Sequence, residues 1–112
     1  MEIDQLIEEA ADNAHRHGWV IRNGISNVFA VPEALMLCVT ELSEAMEEWR
    51  DGRIQLYYDS EGKPKGFETE IADCLIRLFH LCGDLGIDIE KVLEIKMNYN
   101  KTRPYHHGRL VR

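Results

Sequence analysis

No apolar run in this chain approaches a membrane span. The longest, Ala34–Val39, falls far short of the ~20 residues a spanning helix needs. The opening Met1-Glu2-Ile3-Asp4 is acidic where a secretory signal would carry a basic n-region and an apolar h-region, so export is not expected. Cysteine is scarce: Cys38, Cys74 and Cys82 form an odd set without a C-x-x-C, which argues against a disulfide scaffold and a zinc ribbon. A soluble, reduced, cytoplasmic protein is the expectation. Acidic residues are missing after Glu94, whereas Lys96, Lys101, Arg103, Arg109 and Arg112 follow it.

What is present fits one globular domain. The chain has 112 residues, 45% of them hydrophobic and 29% charged, near the modal domain size. A domain this small buries only about two-thirds of its unfolded surface, so self-association would add stability. The formal charge is −7, distributed unevenly: residues 1–95 hold 8 basic and 20 acidic side chains, a net of −12, and the tail carries +5. Such an acidic body repels nucleic acid unless metal ions intervene, so neither nucleic acid nor membrane is an expected partner. A basic tail suits a small anion, an acidic partner, or solvent.

Hydrophobic spacing predicts four helices and an all-α bundle. Ile3, Leu6, Ile7, Ala10 and Ala14 mark the first, to about His17, where Gly18 stops it. A connector, Trp19–Val31, contains the turn signal Asn23-Gly24. Pro32 and Glu33 then suit a helix start, and Leu35, Val39, Leu42, Met46 and Trp49 draw one apolar stripe to Arg50. Arg53–Gly66 has loop composition, with Ile54–Tyr58 a candidate short strand and Gly62-Lys-Pro-Lys-Gly66 a simple turn that lacks the spacing of a phosphate loop. Phe67–Leu85 is apolar round most of its circumference and is expected to be central, with Gly83 and Gly86 at its end. Asp88 can cap a last helix from Ile89 to about Asn98. The organisation is a single domain: 1–31 an N-terminal helix and connector, 32–100 the core helices, 101–112 a basic tail.

Two pairs of carboxylates carry the chemistry. Glu41 and Glu44 are three apart on the second helix, with Glu48 four further on, opposite the Leu35–Trp49 stripe. Glu70 and Asp73 repeat the spacing on the third helix. At roughly 100° per residue, Glu70, Asp73, Arg77 and Asp84 fall within an arc of about 60°, a narrow polar stripe on an apolar helix. Like charges at this spacing cost a few tenths of a kcal/mol per pair on an exposed helix and far more when desolvated. Four carboxylates without thiolate or imidazole make a hard-oxygen site suited to Mg²⁺, with Mn²⁺ an alternative. The competing reading is a solvated acidic face. Redox di-iron chemistry is disfavoured, because Glu44 and Asp73 stand where a Glu-x-x-His pattern would place histidines.

Glu41-x-x-Glu44, then Glu70-Ile-Ala-Asp73-Cys-Leu-Ile-Arg77, Gly83-Asp-Leu-Gly-Ile-Asp88 and Lys96-Met-Asn-Tyr-Asn100-Lys-Thr-Arg103-Pro resemble the MazG-like branch of the all-α nucleoside triphosphate pyrophosphohydrolases over about residues 33–108. The resemblance implies a four-helix bundle assembled as a dimer or dimer of dimers. It implies an acid-anhydride hydrolase that uses Mg²⁺ to cleave an NTP or dNTP to the monophosphate and pyrophosphate, in housecleaning or pool control. Carried over residue by residue, Glu41, Glu44, Glu70 and Asp73 would hold metal, while Lys96 and Asn100 would contact phosphate or sugar, with Arg103 assisting. Glu44 and Glu48 are both candidates to orient the attacking water. Two positions depart from the pattern: Thr40 stands where many relatives carry another acid, and Arg77 where pyrimidine-specific relatives carry an aromatic.

Trp19 is a candidate base-stacking residue, whereas Trp49 lies on the apolar stripe and reads as packing. His106 and His107 have no ligand partners at metal spacing, and the cysteines read as small core residues. A second class of function stands beside the enzyme: a non-catalytic helical dimer that binds a protein through its acidic face and basic tail.

Overall fold

The computed structural model describes residues 2–22 and 30–104. The Asn23-Gly24 turn signal and the tail from residue 105, with His106 and His107, lie outside them. In order the described elements are α1 (Ile3–Arg16), α2 (Val31–Arg50), β1 (Tyr57–Tyr58), β2 (Pro64–Lys65), α3 (Phe67–Leu85) and α4 (Ile89–Lys101). The chain is mostly helical, as its periodicity predicts. α2 begins with Pro32 in its first turn, where a missing N–H costs nothing. The Asp88 carboxylate caps α4 by accepting from the Lys91 N–H at 3.3 Å.

The loop between α2 and α3 fixes where α3 starts. Its strand is shorter than Ile54–Tyr58: only Tyr57 and Tyr58 pair, antiparallel, with Lys65 and Pro64. The Asp59 carboxylate closes the turn between them by accepting the N–H groups of Glu61 and Lys63, which holds it below its ordinary pKa. Behind the hairpin, Arg53 and Ile54 carbonyls accept from Phe67 and Glu68, the first N–H groups of α3. Gly66 is required at this junction. Its φ is +112°, and a Cβ there would sit 2.4 Å from the Gln55 carbonyl oxygen.

α3 is central, packed against α1, α2 and the hairpin. It runs through Gly83, which sequence reading placed at a helix end. A Cβ on Gly83 would stand 3.1 Å from Ala11 Cβ and 3.2 Å from Ile7 Cγ2, so this glycine lets α1 and α3 approach closely. The helix ends instead at Gly86, in the left-handed conformation.

The core is thin and built from small residues. Ile21, Ala34 and Leu81 form its buried cluster, with Val31 packed on it. Here one expectation is corrected. Leu35, Val39, Leu42, Met46 and Trp49 do not face the chain's own core; they are between 47% and 57% exposed. α2 buries the opposite side, Ala34, Cys38, Glu41 and Ala45, whose short side chains let α2 lie close on α3. α4 buries no residue, and Val92, Leu93, Ile95, Met97 and Tyr99 are exposed along it.

Candidate metal centre

Glu41 sits one turn from both Cys38 and Ala45 on the buried side of α2, and this places its carboxylate against α3. Glu44 lies a turn further along at the exposed margin, and α3 supplies Glu70 from its first turn. Glu41, Glu44 and Glu70 each offer an oxygen, and these atoms all lie within 4.8 Å of one another. Glu41 is buried, Glu70 half-buried and Glu44 exposed.

The compensation is incomplete. Arg77 Nε donates to Glu41 Oε1 at 2.9 Å. Glu70 Oε2 is buried and has no hydrogen-bond partner among the described residues. Its polar neighbours are carboxylates, which can hydrogen-bond it only when one of them carries a proton. Burial, then contact with Glu44 and Glu41, pushes the Glu70 carboxyl from an ordinary 4.5 up to about 7. Asp73 is raised too, by burial first and then by the Glu41 charge, with Arg77 and the hairpin's Lys63 acting against the rise. Three close carboxylates with an orphaned buried oxygen are a donor set that a hard divalent cation would fit.

The sequence-predicted residues are brought together unequally. Asp73 stands outside the three-oxygen cluster but lines, with Glu41 and Arg77, a cavity of about 490 Å³. That volume is within the range of small-molecule sites. Trp19 from the connector lines it as well, together with residues of α1 such as Asn13 and Ala14, so Trp19 does reach the cavity. Glu48 does not join the cluster. It is held by Arg53, Nε to Oε2 at 2.9 Å and Nη2 to Oε1 at 3.3 Å, and ties α2 to the loop. Lys96, Asn100 and Arg103 lie on or just past α4, exposed and outside the cavity wall; Lys96 and Arg103 stack on the Tyr99 ring at 5.1 and 5.7 Å. Thr40 is exposed and donates to the Leu37 carbonyl of its own helix, so it adds nothing to the donor set.

Helical spacing puts Asp84 at the far part of the polar stripe and gives no sign that it meets His15 and His80. Asp84, nearly inaccessible, accepts from His15 Nε2 at 2.6 Å, His80 Nε2 at 2.8 Å and the Ile21 N–H at 2.8 Å. Burial acts to raise its pKa, but the Ile21 N–H and the two imidazoles outweigh it and hold the carboxyl below its ordinary value. The Glu-to-Arg77 pair and this His–Asp–His cluster join residues far apart in the chain, beyond the reach of spacing on one helix.

Among the described residues, no helix is long and apolar enough to cross a membrane. No protein-family model matches the chain, and neither a curated protein nor a solved structure does.

Proposed function

We propose that the chain is a Mg²⁺-dependent nucleoside triphosphate pyrophosphohydrolase that works as a homodimer or dimer of dimers. The observation that carries this reading is the orphaned, buried Glu70 oxygen inside the Glu41–Glu44–Glu70 cluster, beside a cavity of small-molecule size. Desolvated carboxylates without enough counter-charge are costly, and a divalent ion relieves them. The MazG-like resemblance supplies the reaction; the donor set supports the metal.

Glu41, Glu44 and Glu70 would hold the ion, with Asp73 on the cavity side of them. The bound metal supplies charge neutralisation of the triphosphate and a more acidic water. Arg77 keeps the Glu41 carboxylate oriented. Glu44, the exposed member of the cluster, would accept a proton from the attacking water, a role for which Glu48 is less available while Arg53 holds it. The nucleoside would occupy the cavity, with Trp19 in its wall as a stacking surface.

Lys96, Asn100 and Arg103 serve phosphate in this reading only through assembly. α4 buries nothing in its own chain, and α2 exposes its apolar stripe. A second copy would cover both faces and carry the basic residues toward a neighbouring site. The same exposed faces favour the second reading, a helical dimer that binds a protein. It differs in tolerating neutralisation of Glu70 and Asp73.

The test is incubation with each of the eight canonical nucleoside triphosphates, with Mg²⁺ or with EDTA, and chromatography of the products. Monophosphate plus pyrophosphate, formed only with Mg²⁺, is the expected outcome. Orthophosphate and diphosphate would replace the reaction class, and no turnover would favour the binding module.

A further inference from the structure

The His15–His80–Asp84 cluster is a second donor set on α3, and it differs in kind from the first. His80 and Asp84 are spaced i,i+4 on one helix, and the third member comes from the neighbouring α1. Two residues one turn apart plus one from an adjacent element is an economical way to surround an ion, since the pair already converges on one side of its helix. Here the ligand atoms of all three lie within 4.8 Å of one another. Both imidazoles turn Nε2 toward the same carboxylate, and the rings meet edge to face at 5.8 Å, so neither blocks the other's nitrogen.

The surroundings complete the arrangement. The Ile21 N–H donates to Asp84 Oδ2, the oxygen His80 also reaches, and is the kind of outer hydrogen bond that orients metal ligands. His15 is 43% exposed at its side chain, which opens one route from solvent, and His80 lines the cavity on the other side. Two imidazoles and one carboxylate are borderline donors, unlike the all-carboxylate cluster about three to four turns away along α3, and suit a late first-row ion over Mg²⁺. We infer that His15, His80 and Asp84 form a binding site for Zn²⁺ or a similar divalent transition ion, with three protein ligands and a coordination position left for water. The ion takes the place of the two Nε2 protons that now reach Asp84, and binding releases protons to solvent or shifts them to Nδ1. Its consequence is a metal clasp between α1 and α3 that also pins the connector through Ile21.

Co²⁺ titration of metal-stripped, tag-free protein tests this, with Mg²⁺ in excess to occupy the carboxylate cluster. Co²⁺ stands in for Zn²⁺ and reports low coordination number by an intense visible band. The expected result is a band that saturates at one equivalent, is abolished by added Zn²⁺, persists in Glu70→Gln, and is lost in His15→Ala. Circular dichroism confirms that the exposed His15→Ala variant is folded. Zn²⁺ affinity should fall in His15→Ala by more than the roughly 10–100-fold typical of losing an outer-shell partner. A missing band, a band unchanged in His15→Ala, or one lost in Glu70→Gln overturns the site and leaves a purely hydrogen-bonded cluster. Because the probe is not turnover, this outcome is independent of the proposed hydrolysis.

Discussion

The two ends of one polar stripe on α3 treat a buried carboxylate in opposite ways. Near the start of the helix, Glu70 meets other carboxylates, keeps an oxygen without a partner, and is pushed up to about 7. Near the end, Asp84, whose side chain is 4% exposed, receives three donors and is held below its ordinary value. Burial alone therefore does not decide the charge state; the supply of donors does. Asp84 is complete with protein partners and knits α1, α3 and the connector. Glu70 lacks such donors among the described residues, and the proposed Mg²⁺ would supply the missing positive charge.

The largest expected effect breaks the incomplete end. Glu44→Gln or Asp73→Asn should lower turnover at least about 100-fold while the far-UV spectrum stays native, because each removes charge from the metal site without removing volume. Full activity in either variant, measured by pyrophosphate release, would take that residue out of the mechanism. Next comes the complete end: Asp84→Ala leaves the buried Ile21 N–H and His80 without an acceptor and should cost about 3–5 kcal/mol in urea unfolding.

A smaller effect separates the two ends by pH. The folded state binds the Glu70 proton more tightly than the unfolded chain, so metal-free stability should fall as pH rises from 4.5 to about 7. Asp84 has the opposite sign: its contribution is present above about 3.8, its unfolded value, and is lost as acid reaches its lowered folded value. Glu70→Gln should remove the loss at neutral pH, stabilising the metal-free protein by about 1–3 kcal/mol at pH 8, and Mg²⁺ should stabilise the wild type there but not the variant. Thermal melts across pH, with and without Mg²⁺, check all three statements. The least change is expected at Glu48, paired with Arg53 on the surface side. Glu48→Gln should alter stability by no more than about 1 kcal/mol and turnover by about threefold or less, and a turnover loss as large as that of Glu44→Gln would restore Glu48 to the reaction.

Much of this was legible in the residues because helical spacing converts directly into faces. Glu41 with Glu44, and Glu70 through Arg77 to Asp84, needed only the helical period to fall into line. Partners across helices were not legible. Arg77 meets Glu41 from 36 residues away and His15 meets Asp84 from 69, and no local pattern encodes such pairings. The Leu35–Trp49 stripe shows a different limit. Amphipathic spacing says that a face wants cover, not whether the same chain supplies it, and α2 instead buries the small residues that permit close approach to α3. Gly83 looks like helix punctuation in the sequence for a similar reason: its close contact with Ile7 and Ala11 exists only once α1 lies on α3.

The proposed reaction requires a hard divalent cation at the acidic end of the stripe. Mn²⁺ titration at pH 8, followed by the electron paramagnetic resonance signal of the free ion, tests it most directly. In the His15→Ala protein, which lacks the second donor set, the expected result is suppression of the free-ion signal until the site fills, and its appearance from the first addition once Glu44→Gln and Glu70→Gln are added. A free-ion signal that rises from the first addition in His15→Ala, or binding retained in the triple variant, would remove the cation from the acidic end.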